Sequence, residues 1–405
     1  MKIKGQGRKR MVQEDKKQRL LDTAVTLMAK KVGKDLTNAD IAGLAGLNES
    51  IIYHYFKNKT DLLFYAAGES IKKHIAELEW HLKGIREPIS RLSKLIWFQL
   101  QYHDDEPEYA KFTIFECRSN RDFFGHEALI HFVRWVNILR DILRSGVDEG
   151  YFSKDLNVPV ACEMITGLLD MENIEFFAGR RKDSVQNDLE TIMDMILPML
   201  SWQTTGKKKH GAKRTAILHR AEEIFAQKGY EKATTLEIAR SAKVAEGTLY
   251  EYFKGKEDIL FSLLRHRFQE HLSSRNEALS SPVIRLQQFI QDFFLMFLLN
   301  QAFAMTFISE GIYNERFYQS DAYEDFEIYL KTIDTILDEG EKTGSIRIGV
   351  DKRIFKNLFI GAFSNLMLRW MHPCRELQLD LTGESINDAV TLLLRTVILP
   401  EEKQP

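Results

Sequence analysis

The sequence predicts an all-α fold with two tandem units, each made of a three-helix helix-turn-helix head and a helical body. One observation is an internal repeat, because residues 37–61 recur without gaps as residues 234–258. A repeat of this length is a whole domain written twice rather than one turn of a solenoid. The other observation is the spacing of apolar residues, which is helical and shows no convincing strand alternation.

Each copy of the repeat has the pattern of two short helices joined by a tight turn. Thr234 and Glu237 have the spacing of a capping box, and Thr37 with Asp40 is a weaker version of it. Asn48 is a good N-cap for the second short helix of the first copy. Two such helices form a helix-turn-helix, whose second helix can enter the major groove of DNA.

The other helices are predicted from apolar residues three or four positions apart. A cover helix begins near Leu20, and residues 62–82 form a long helix after the first head. The helices predicted for the first body span residues 89–100, 112–117, 128–143, 158–178 and 185–200. Their counterparts in the second copy span residues 217–226, 282–299, 302–308, 323–337, 354–371 and 386–399. Turns are predicted at two glycine pairs, Gly146 with Gly150 and Gly340 with Gly344.

These elements divide the chain into five predicted segments. The heads span residues 1–65 and 214–262, the bodies span residues 66–202 and 263–405, and a basic linker spans residues 203–213. The bodies are repeated more faintly than the heads, since residues 142–152 parallel residues 336–346. The extended linker can reach roughly 40 Å, so one chain can bring its two bodies together.

Composition limits the class of protein. A chain of 405 residues that is 44% apolar can bury more than one core. Its net charge of -2 excludes a generally basic nucleic-acid binder, but Lys/Arg runs precede both heads, at residues 1–19 and 207–214. Such a run is either a solvated, disordered tail or an arm that touches phosphate or the minor groove.

Cysteine usage and hydropathy favour a cytoplasmic protein. Cys117, Cys162 and Cys374 lack the spacing of metal ligands and suit a reducing compartment. We recognise no signal peptide and no apolar run of spanning length, so no membrane partner is expected. The sequence also lacks a catalytic triad, a metal cluster and a Gly-rich phosphate loop. We therefore predict neither an enzyme nor a bound cofactor or metal.

The repeated segment resembles the DNA-binding head of the TetR family, the tetracycline-repressor-like regulators of bacteria. The second copy matches in three stretches, FAQKGYEKATTLEIA, VAEGTLYEYF and KEDIL, which together are specific. The first copy departs from the family pattern at KKVGKDL and NESIIYHYF. The resemblance implies a ligand cavity in the body and a four-helix bundle formed by the last two helices of two subunits. Here the bundle would pair helices 158–178 and 185–200 with helices 354–371 and 386–399 of the same chain.

The resemblance also implies DNA contacts, position by position. The helix that reads bases would present Glu246, Gly247, Thr248 and Tyr250 in the second copy and Glu49, Ser50, Ile51 and Tyr53 in the first. Phosphate contacts would come from Tyr252, Lys256, Tyr55 and Lys59, and Thr235 and Asn38 would donate to the DNA backbone. The alternative for each tyrosine is core packing. For both glutamates it is a position in solvent, because carboxylates repel phosphate.

Aromatic side chains at helical spacing are core residues by default, but helical bundles also hold cavities between helices. We predict that a small apolar effector contacts a subset of them. These are Phe293, Phe307, Phe363 and Trp370 in the second body and Trp97, Phe115 and Trp135 in the first.

Two functions remain open. The first is a sequence-specific transcriptional regulator, a ligand-responsive repressor that acts on an operator in double-stranded DNA as a single-chain pseudo-dimer. The alternative is a protein-interaction module with the same fold, in which one or both heads no longer bind DNA. Whether two chains associate further is also open at this point.

Overall fold

The computed structural model describes residues 2–28, 36–181, 184–201, 233–241, 256, 281–298, 301–372 and 383–398. Every regular element within these residues is helical, so the predicted all-α class is confirmed. The chain forms two compact parts. One comprises Met1–Ile142 with Asp183–Gln186, and the other comprises Leu143–Lys182 with Asn187–Pro405.

The first part contains the first head and most of the first body. Its α-helices are α1 Lys2–Met28, α2 Asn38–Leu44, α3 Ile52–Tyr55, α4 Lys59–Leu82, α5 Pro88–Asp105, α6 Pro107–Lys111 and α7 Leu129–Asp148, which from Leu143 onward belongs to the second part. Two short 3₁₀ segments, Glu49–Ile51 and Arg121–Gly125, and a π-helical turn, Phe112–Cys117, lie between them. One apolar core joins the head to the body. It runs from Leu20, Ile41, Ile52 and Phe56 to Tyr109, Phe112 and Phe123.

The N-terminal basic run is helical, which differs from the expected disordered tail, whereas its contact with phosphate or the minor groove stays a prediction. α1 begins at Lys2 and continues without a break to Met28. Lys, Arg, Gln and Glu are strong helix formers, and no proline interrupts the run. Local helix propensity therefore extends the cover helix towards the N-terminus.

The second part contains the last two helices of the first body and the described residues of the second copy. Its α-helices are α8 Val158–Phe177, α9 Leu189–Ser201, α10 Thr235–Ser241, α11 Pro282–Leu298, α12 Gln301–Thr306, α13 Asp321–Thr343, α14 Lys352–Met371 and α15 Gly383–Arg395. A π-helical turn, Phe307–Ile312, follows α12, and a 3₁₀ segment spans Glu315–Gln319. Another 3₁₀ segment, Val185–Asp188, begins in the first part and ends in the second. The predicted helix at 217–226 lies outside the described residues.

Capping side chains mark where the long helices begin. Asn58 accepts a hydrogen bond from a first-turn amide of α4, Asn157 does so for α8, and Asp351 does so for α14. Pro88 and Pro282 occupy the first turns of α5 and α11, where a missing N–H has no cost. These local signals explain why the helix starts lie close to their predicted positions.

In each predicted glycine turn, only the second glycine lies in the turn. Gly146 and Gly340 lie inside α7 and α13, and the left-handed residues are Gly150 and Gly344, with φ of +82° and +71°. A Cβ at Gly146 would lie 2.1 Å from the ring of Phe152. In the second copy a Cβ at Gly340 would lie 2.3 Å from the equivalent isoleucine, Ile346. These helical glycines therefore make room for the side chain that follows the turn.

The closing helices of the two copies pack together within the second part. α8 and α14 cross where Gly167 meets Gly361, and a Cβ at Gly167 would lie 2.1 Å from the carbonyl oxygen of Gly361. α9 contacts both α14 and α15, and α15 also contacts α8. Small residues at a crossing allow helix backbones to touch. Glycine is therefore required at this crossing for close packing.

Phenylalanine rings fill the interior of the second body. Phe293, Phe297, Phe307 and Phe363 are fully buried, and Phe363 lies 4.8 Å from Phe293 and 4.7 Å from Phe297 between ring centroids. Among the described residues no single helix is long and apolar enough to cross a membrane. One strongly bent pair, Pro282–Leu298 with Phe303–Ile312, matches by length and composition only.

Candidate nucleic-acid interface and regulatory bodies

The predicted capping boxes are present in both heads. Thr37 Oγ1 accepts from the amide of Asp40, and Asp40 accepts from the amide of Thr37, both at 3.0 Å. Thr234 and Glu237 exchange the same two bonds at 3.2 Å. The first helix of each helix-turn-helix therefore starts with its free amides satisfied.

The turn and the second helix of the first head follow from local residues. Gly46 takes the left-handed conformation, with φ of +64°, immediately after α2. Asn48 then accepts from the amide of Ser50 at 3.0 Å, as expected of an N-cap. Glu49 and Ser50 are exposed and Ile51 is half-buried. The predicted base-reading residues therefore lie at the N-terminal turn of this helix, the part that enters a major groove in helix-turn-helix proteins.

Tyr53 is an exposed aromatic side chain of the first head, at 59% exposure. Its hydroxyl accepts a 2.8 Å hydrogen bond from Nδ2 of Asn38 at the start of α2. This bond connects the two helices of the motif and holds the tyrosine ring at the surface. The alternative of core packing does not apply to Tyr53, whereas Phe56 is buried in the core at 2% exposure.

The predicted phosphate contacts of the first head are less exposed than Tyr53. Tyr55 is half-buried and contacts the rings of His54 and Phe56 edge-on. Lys59 begins α4, and its ammonium group donates to the carbonyl oxygen of Leu36 at 2.8 Å. Lys59 thus connects the entry to α2 with the start of α4, and its positive charge lies beside a helix N-terminus that favours phosphate.

Part of the second head is described. Thr235 and Lys256 are both half-buried, and Ile238 of α10 is fully buried. The remaining predicted contacts, Glu246, Gly247, Thr248, Tyr250 and Tyr252, lie outside the described residues, so their roles stay predictions.

A polar joint connects the first head to its body. Asp61, in the first turn of α4, accepts from the amide of Lys57 at 2.9 Å and lies 3.1 Å from Nε2 of His126. The hydroxyl of Tyr65 donates to Glu127 at 3.0 Å. A cavity of about 390 Å³ lies beside this joint and is lined by residues of α1, α4 and α7. Sequence reasoning missed His126 and Glu127 because they lie more than 60 positions from their partners.

The predicted effector contacts of the second body lie in a filled interior. The buried rings of Phe293, Phe307 and Phe363 contact one another or shared neighbours, and Trp370 is half-buried at the end of α14. A separate cavity of about 220 Å³ lies nearby. Its lining includes Met171, Arg180, Tyr323, Phe326, Arg353 and Asn357, and it contains none of the predicted contacts.

Two positions that hold buried phenylalanines in the second body hold polar side chains in the first body. Nε2 of buried His74 lies 3.5 Å from Oε1 of Gln99, whose Nε2 lies 2.7 Å from a ring nitrogen of His103. In the repeat, Gln99 and His103 correspond to Phe293 and Phe297. Burial lowers the pKa of His74 to about 3, so its imidazole is neutral. The two bodies therefore offer chemically different interiors.

The predicted contacts of the first body have mixed environments. Trp135 is buried at 6% exposure, and its indole N–H has no hydrogen-bond partner. Trp97 is half-buried beneath the ammonium group of Lys94, which lies 4.0 Å from its ring centroid. Phe115 is half-buried on the π-helical turn. Of these three side chains, Trp135 therefore presents an unsatisfied donor inside the body.

A buried carboxylate lies where α8 meets α14. Glu172 is fully buried and accepts from Arg353 at 2.7 Å, from Asn357 at 2.9 Å and from Arg181 at 3.2 Å. Burial raises the pKa of Glu172 to about 7, and the positive charge of Arg353 opposes that rise. Among the described residues no group of His, Cys, Asp and Glu is arranged to hold a metal ion.

Replacing Glu172 by Gln should change how stability depends on pH. Its pKa is higher in the folded protein than its ordinary value of 4.5, so its contribution to stability is present below pH 4.5 and lost as the pH rises through 7. Glutamine does not titrate. The unfolding free energy of Glu172→Gln relative to wild type should therefore rise between about pH 5 and pH 8 in chemical denaturation.

Glu190→Gln on α9 is the matched control, because that side chain is exposed. Its stability relative to wild type should stay nearly constant across the same range. A Glu172→Gln variant that behaves like this control would show that the buried carboxylate does not titrate as described.

Two family models match the chain, and each matches twice. The model for bacterial regulatory proteins of the tetR family covers residues 20–66 and 217–263. The model for the C-terminal region of YsiA-like proteins covers residues 68–198 and 264–395. Together the four matches follow the predicted order of head, body, head and body.

Individual relatives match less than half of this chain. The fatty acid metabolism regulator protein of Bacillus subtilis is 28% identical over 40% of this chain and 86% of its own length. The transcriptional repressor KstR2 of Mycolicibacterium smegmatis is 27% identical over 36% of this chain and 72% of its own length. A solved structure of the regulator FadR from Bacillus subtilis, in complex with stearoyl-CoA, is 24% identical with a TM-score of 0.40, covering 44% of this chain and 96% of that one.

These matches name transcription regulators rather than enzymes, and the TetR resemblance of the sequence is confirmed. The chain belongs to the TetR family of DNA-binding bacterial regulators and carries two units of that family in tandem.

Proposed function

We propose that one chain acts as a complete repressor, a ligand-responsive pseudo-dimer in which the two units do the work of two subunits. The observation that carries this proposal is the crossing of α8 with α14 at Gly167 and Gly361. These helices belong to different copies of the same chain, and the family resemblance pairs such helices between subunits. On this proposal the chain acts on an operator in the cytoplasm of a bacterial cell.

Different observations support DNA binding by each of the two heads. The first head keeps its caps, its left-handed turn at Gly46 and an exposed Tyr53 held by Asn38. The second head keeps the capping box of Thr234 and carries the closer match to the family pattern. We propose that the predicted residues of both heads contact DNA, each head on its own half-site.

Regulation by a ligand is the second part of the proposal. The Bacillus subtilis relative is named a fatty acid metabolism regulator, which favours an effector with an apolar part. In the second body such a ligand has to part the rings of Phe293, Phe307 and Phe363 to contact them, with Trp370 at the end of the same interior. In the first body it would meet Trp97, Phe115 and Trp135.

Lysine variants of the full chain test the docking of both heads. Lys59→Ala and Lys256→Ala should each reduce the slope of log affinity against log salt by about one unit, because each phosphate contact releases a counterion. Binding to DNA from upstream of the protein's own gene is measured by gel shift at several salt concentrations. Tyr53→Phe is the control, since it removes a hydroxyl and no charge and should leave the slope nearly unchanged.

The possible results separate the two functions. A Lys59 variant that binds weakly with an unchanged slope would show that its bond to Leu36 positions α2 and that no phosphate is held there. An unchanged slope in the Lys256 variant would show that the docking assigned to the second head is wrong. A wild-type chain that binds no DNA at low salt would overturn the proposal in favour of a protein-interaction module.

A further inference from the structure

The two central helices of the closing bundle carry opposite charges. α8 contains four acidic residues and no Lys or Arg, whereas α14 contains four basic residues and no Asp or Glu. The acids are Glu163, Asp170, Glu172 and Glu175, and the bases are Lys352, Arg353, Lys356 and Arg369. Because the two helices cross at Gly167 and Gly361, opposite charges meet along their contact.

Five ion pairs between the copies have their acid in the first copy and their base in the second. The oxygen–nitrogen distance is 2.9 Å for Glu163 with Arg369 and 3.0 Å for Asp155 with Arg395. Arg353 makes the other three pairs, at 2.7 Å with Glu172, 2.8 Å with Asp188 and 3.5 Å with Glu175. Both side chains of the first pair are buried. A pair with the opposite order, Arg180 with Glu327, lies at a partly exposed edge. In the buried ion pairs between the copies, the acid therefore comes from the first copy and the base from the second.

The register of the repeat shows what two α8 helices would bring together in the same crossing. Residues of α8 and α14 correspond at the offset that relates Gly167 to Gly361, so Glu175 takes the place of Arg369 and Glu163 takes the place of Asn357. Glu163 would then face Glu175, and Glu172 would face Glu163. Glu172 would keep Arg181 of its own copy, but Glu163 would lose Arg369. Leaving the buried Glu163 carboxylate beside another carboxylate is strongly unfavourable, so this pairing is disfavoured.

Two α14 helices would leave Arg353 and Arg369 without the acids of α8, whereas Lys352 and Lys356 keep their acids on α13. At the same offset Leu366 takes the place of Glu172, so Arg353 would face a leucine. Arg369 would face Asn357, which has no charge. Neither like pairing can therefore reproduce the ion pairs of the α8–α14 crossing.

We propose that this arrangement of charges selects the partner of each closing helix. The bundle helices of the first copy accept those of the second copy and reject the same helices of another chain. The inference rests on the proposed single-chain function and adds that a like helix of a second chain is excluded from this interface. α8 of one chain and α14 of another would satisfy the same charges, but the tethered partner is present at a higher effective concentration. The chain should therefore be a monomer in solution, unlike a regulator assembled from two identical subunits.

Charge reversal in the full chain tests the selection. Glu163→Arg places a second arginine beside Arg369, and Arg369→Glu places a second glutamate beside Glu163. Because each change buries two like charges side by side, each variant should melt about 5–10 °C below wild type. The double variant restores the pair in reverse and should recover most of that loss as a monomer. Melting is followed by circular dichroism and mass by light scattering. A double variant that melts no higher than the single variants would overturn the proposal.

Mixing the two single variants gives a sharper result. In a dimer that pairs α8 of each chain with α14 of the other, the new arginine at position 163 meets the new glutamate at position 369. The second α8–α14 contact of that dimer keeps the original glutamate and arginine. The mixture should form a one-to-one dimer of twice the chain mass, which neither variant forms alone. Glu163→Gln mixed with Arg369→Gln is the control, because it removes the charges without reversing them and should give no dimer.

The remaining outcomes also decide the question. Single variants that melt like wild type and stay monomeric would show that the charges do not select the partner helix, and a wild-type chain that dimerises by pairing α8 with α8 would show the same. DNA binding is measured separately on the wild-type chain. A monomer with the expected reversal pattern that binds no DNA would overturn the proposed function and leave the pairing rule intact.

Discussion

Replacing Phe363 by Ala is expected to lower the free energy of unfolding of the second compact part by about 3–5 kcal/mol. The side chain is fully buried, and its ring centroid lies 4.8 Å from that of Phe293, 4.7 Å from Phe297 and 5.6 Å from Phe294. Because these neighbours also pack on one another, they can close only part of the cavity that alanine leaves. Chemical denaturation of the full chain measures the loss.

Phe363→Leu is the matched control, since the equivalent residue of the first copy is Leu169. Leucine keeps most of the volume, so this variant should lose less than half as much stability. The pair also distinguishes core packing from ligand contact. If Phe363 lined a preformed effector site, the alanine variant would keep nearly all its stability and lose only its response to the ligand.

Much of the fold could be predicted because its signals are local. The caps at Thr37, Asn48 and Thr234 lie within three residues of the amides they satisfy, and all three are present. Helix periodicity likewise predicted the two closing helices of each copy. The two copies are so similar that their last helices begin and end at equivalent positions of the repeat. These helices are α9, Leu189–Ser201, and α15, Gly383–Arg395.

The predictions that failed depend on contacts which periodicity does not contain. Gly146 and Gly340 were predicted as turn residues from composition, but each is held in a helix by the side chain that packs on it after the turn. Disorder was one prediction from the charge of the basic N-terminal run, but its residues are good helix formers and continue α1. Charge patterns describe the surface of a segment and do not by themselves decide its backbone.

In the candidate sites, too, local features could be predicted from the sequence and contacts between distant segments could not. The exposure of Tyr53 agrees with its predicted position on the second helix of the motif, which a repeat and a family pattern can locate. The partners of Asp61 and Glu172 come from distant segments, His126 and Arg353, and no local pattern connects them. The opposite charges of α8 and α14 are visible in the sequence, but their meaning depends on knowing that the two helices cross.

Replacing Gly167 by Ala should separate the two copies, with a loss of about 3 kcal/mol in the free energy of unfolding. The added Cβ would lie 2.1 Å from the carbonyl oxygen of Gly361 and 2.2 Å from its carbonyl carbon. Both atoms are backbone, so no side chain can rotate away and α8 has to move from α14. That movement also lengthens the Glu163–Arg369 and Glu172–Arg353 contacts on either side of the crossing.

Gly43→Ala in α2 is the matched control, because it is a helical glycine whose Cβ would meet no atom within 4 Å. It should stabilise the chain by about 0.5–1 kcal/mol, since alanine loses less backbone entropy in a helix. On the proposed function, Gly167→Ala should bind a DNA with both half-sites little better than a DNA with a single half-site. A Gly167→Ala chain as stable as Gly43→Ala, with undiminished preference for the double site, would mean that the α8–α14 crossing does not hold the two copies together.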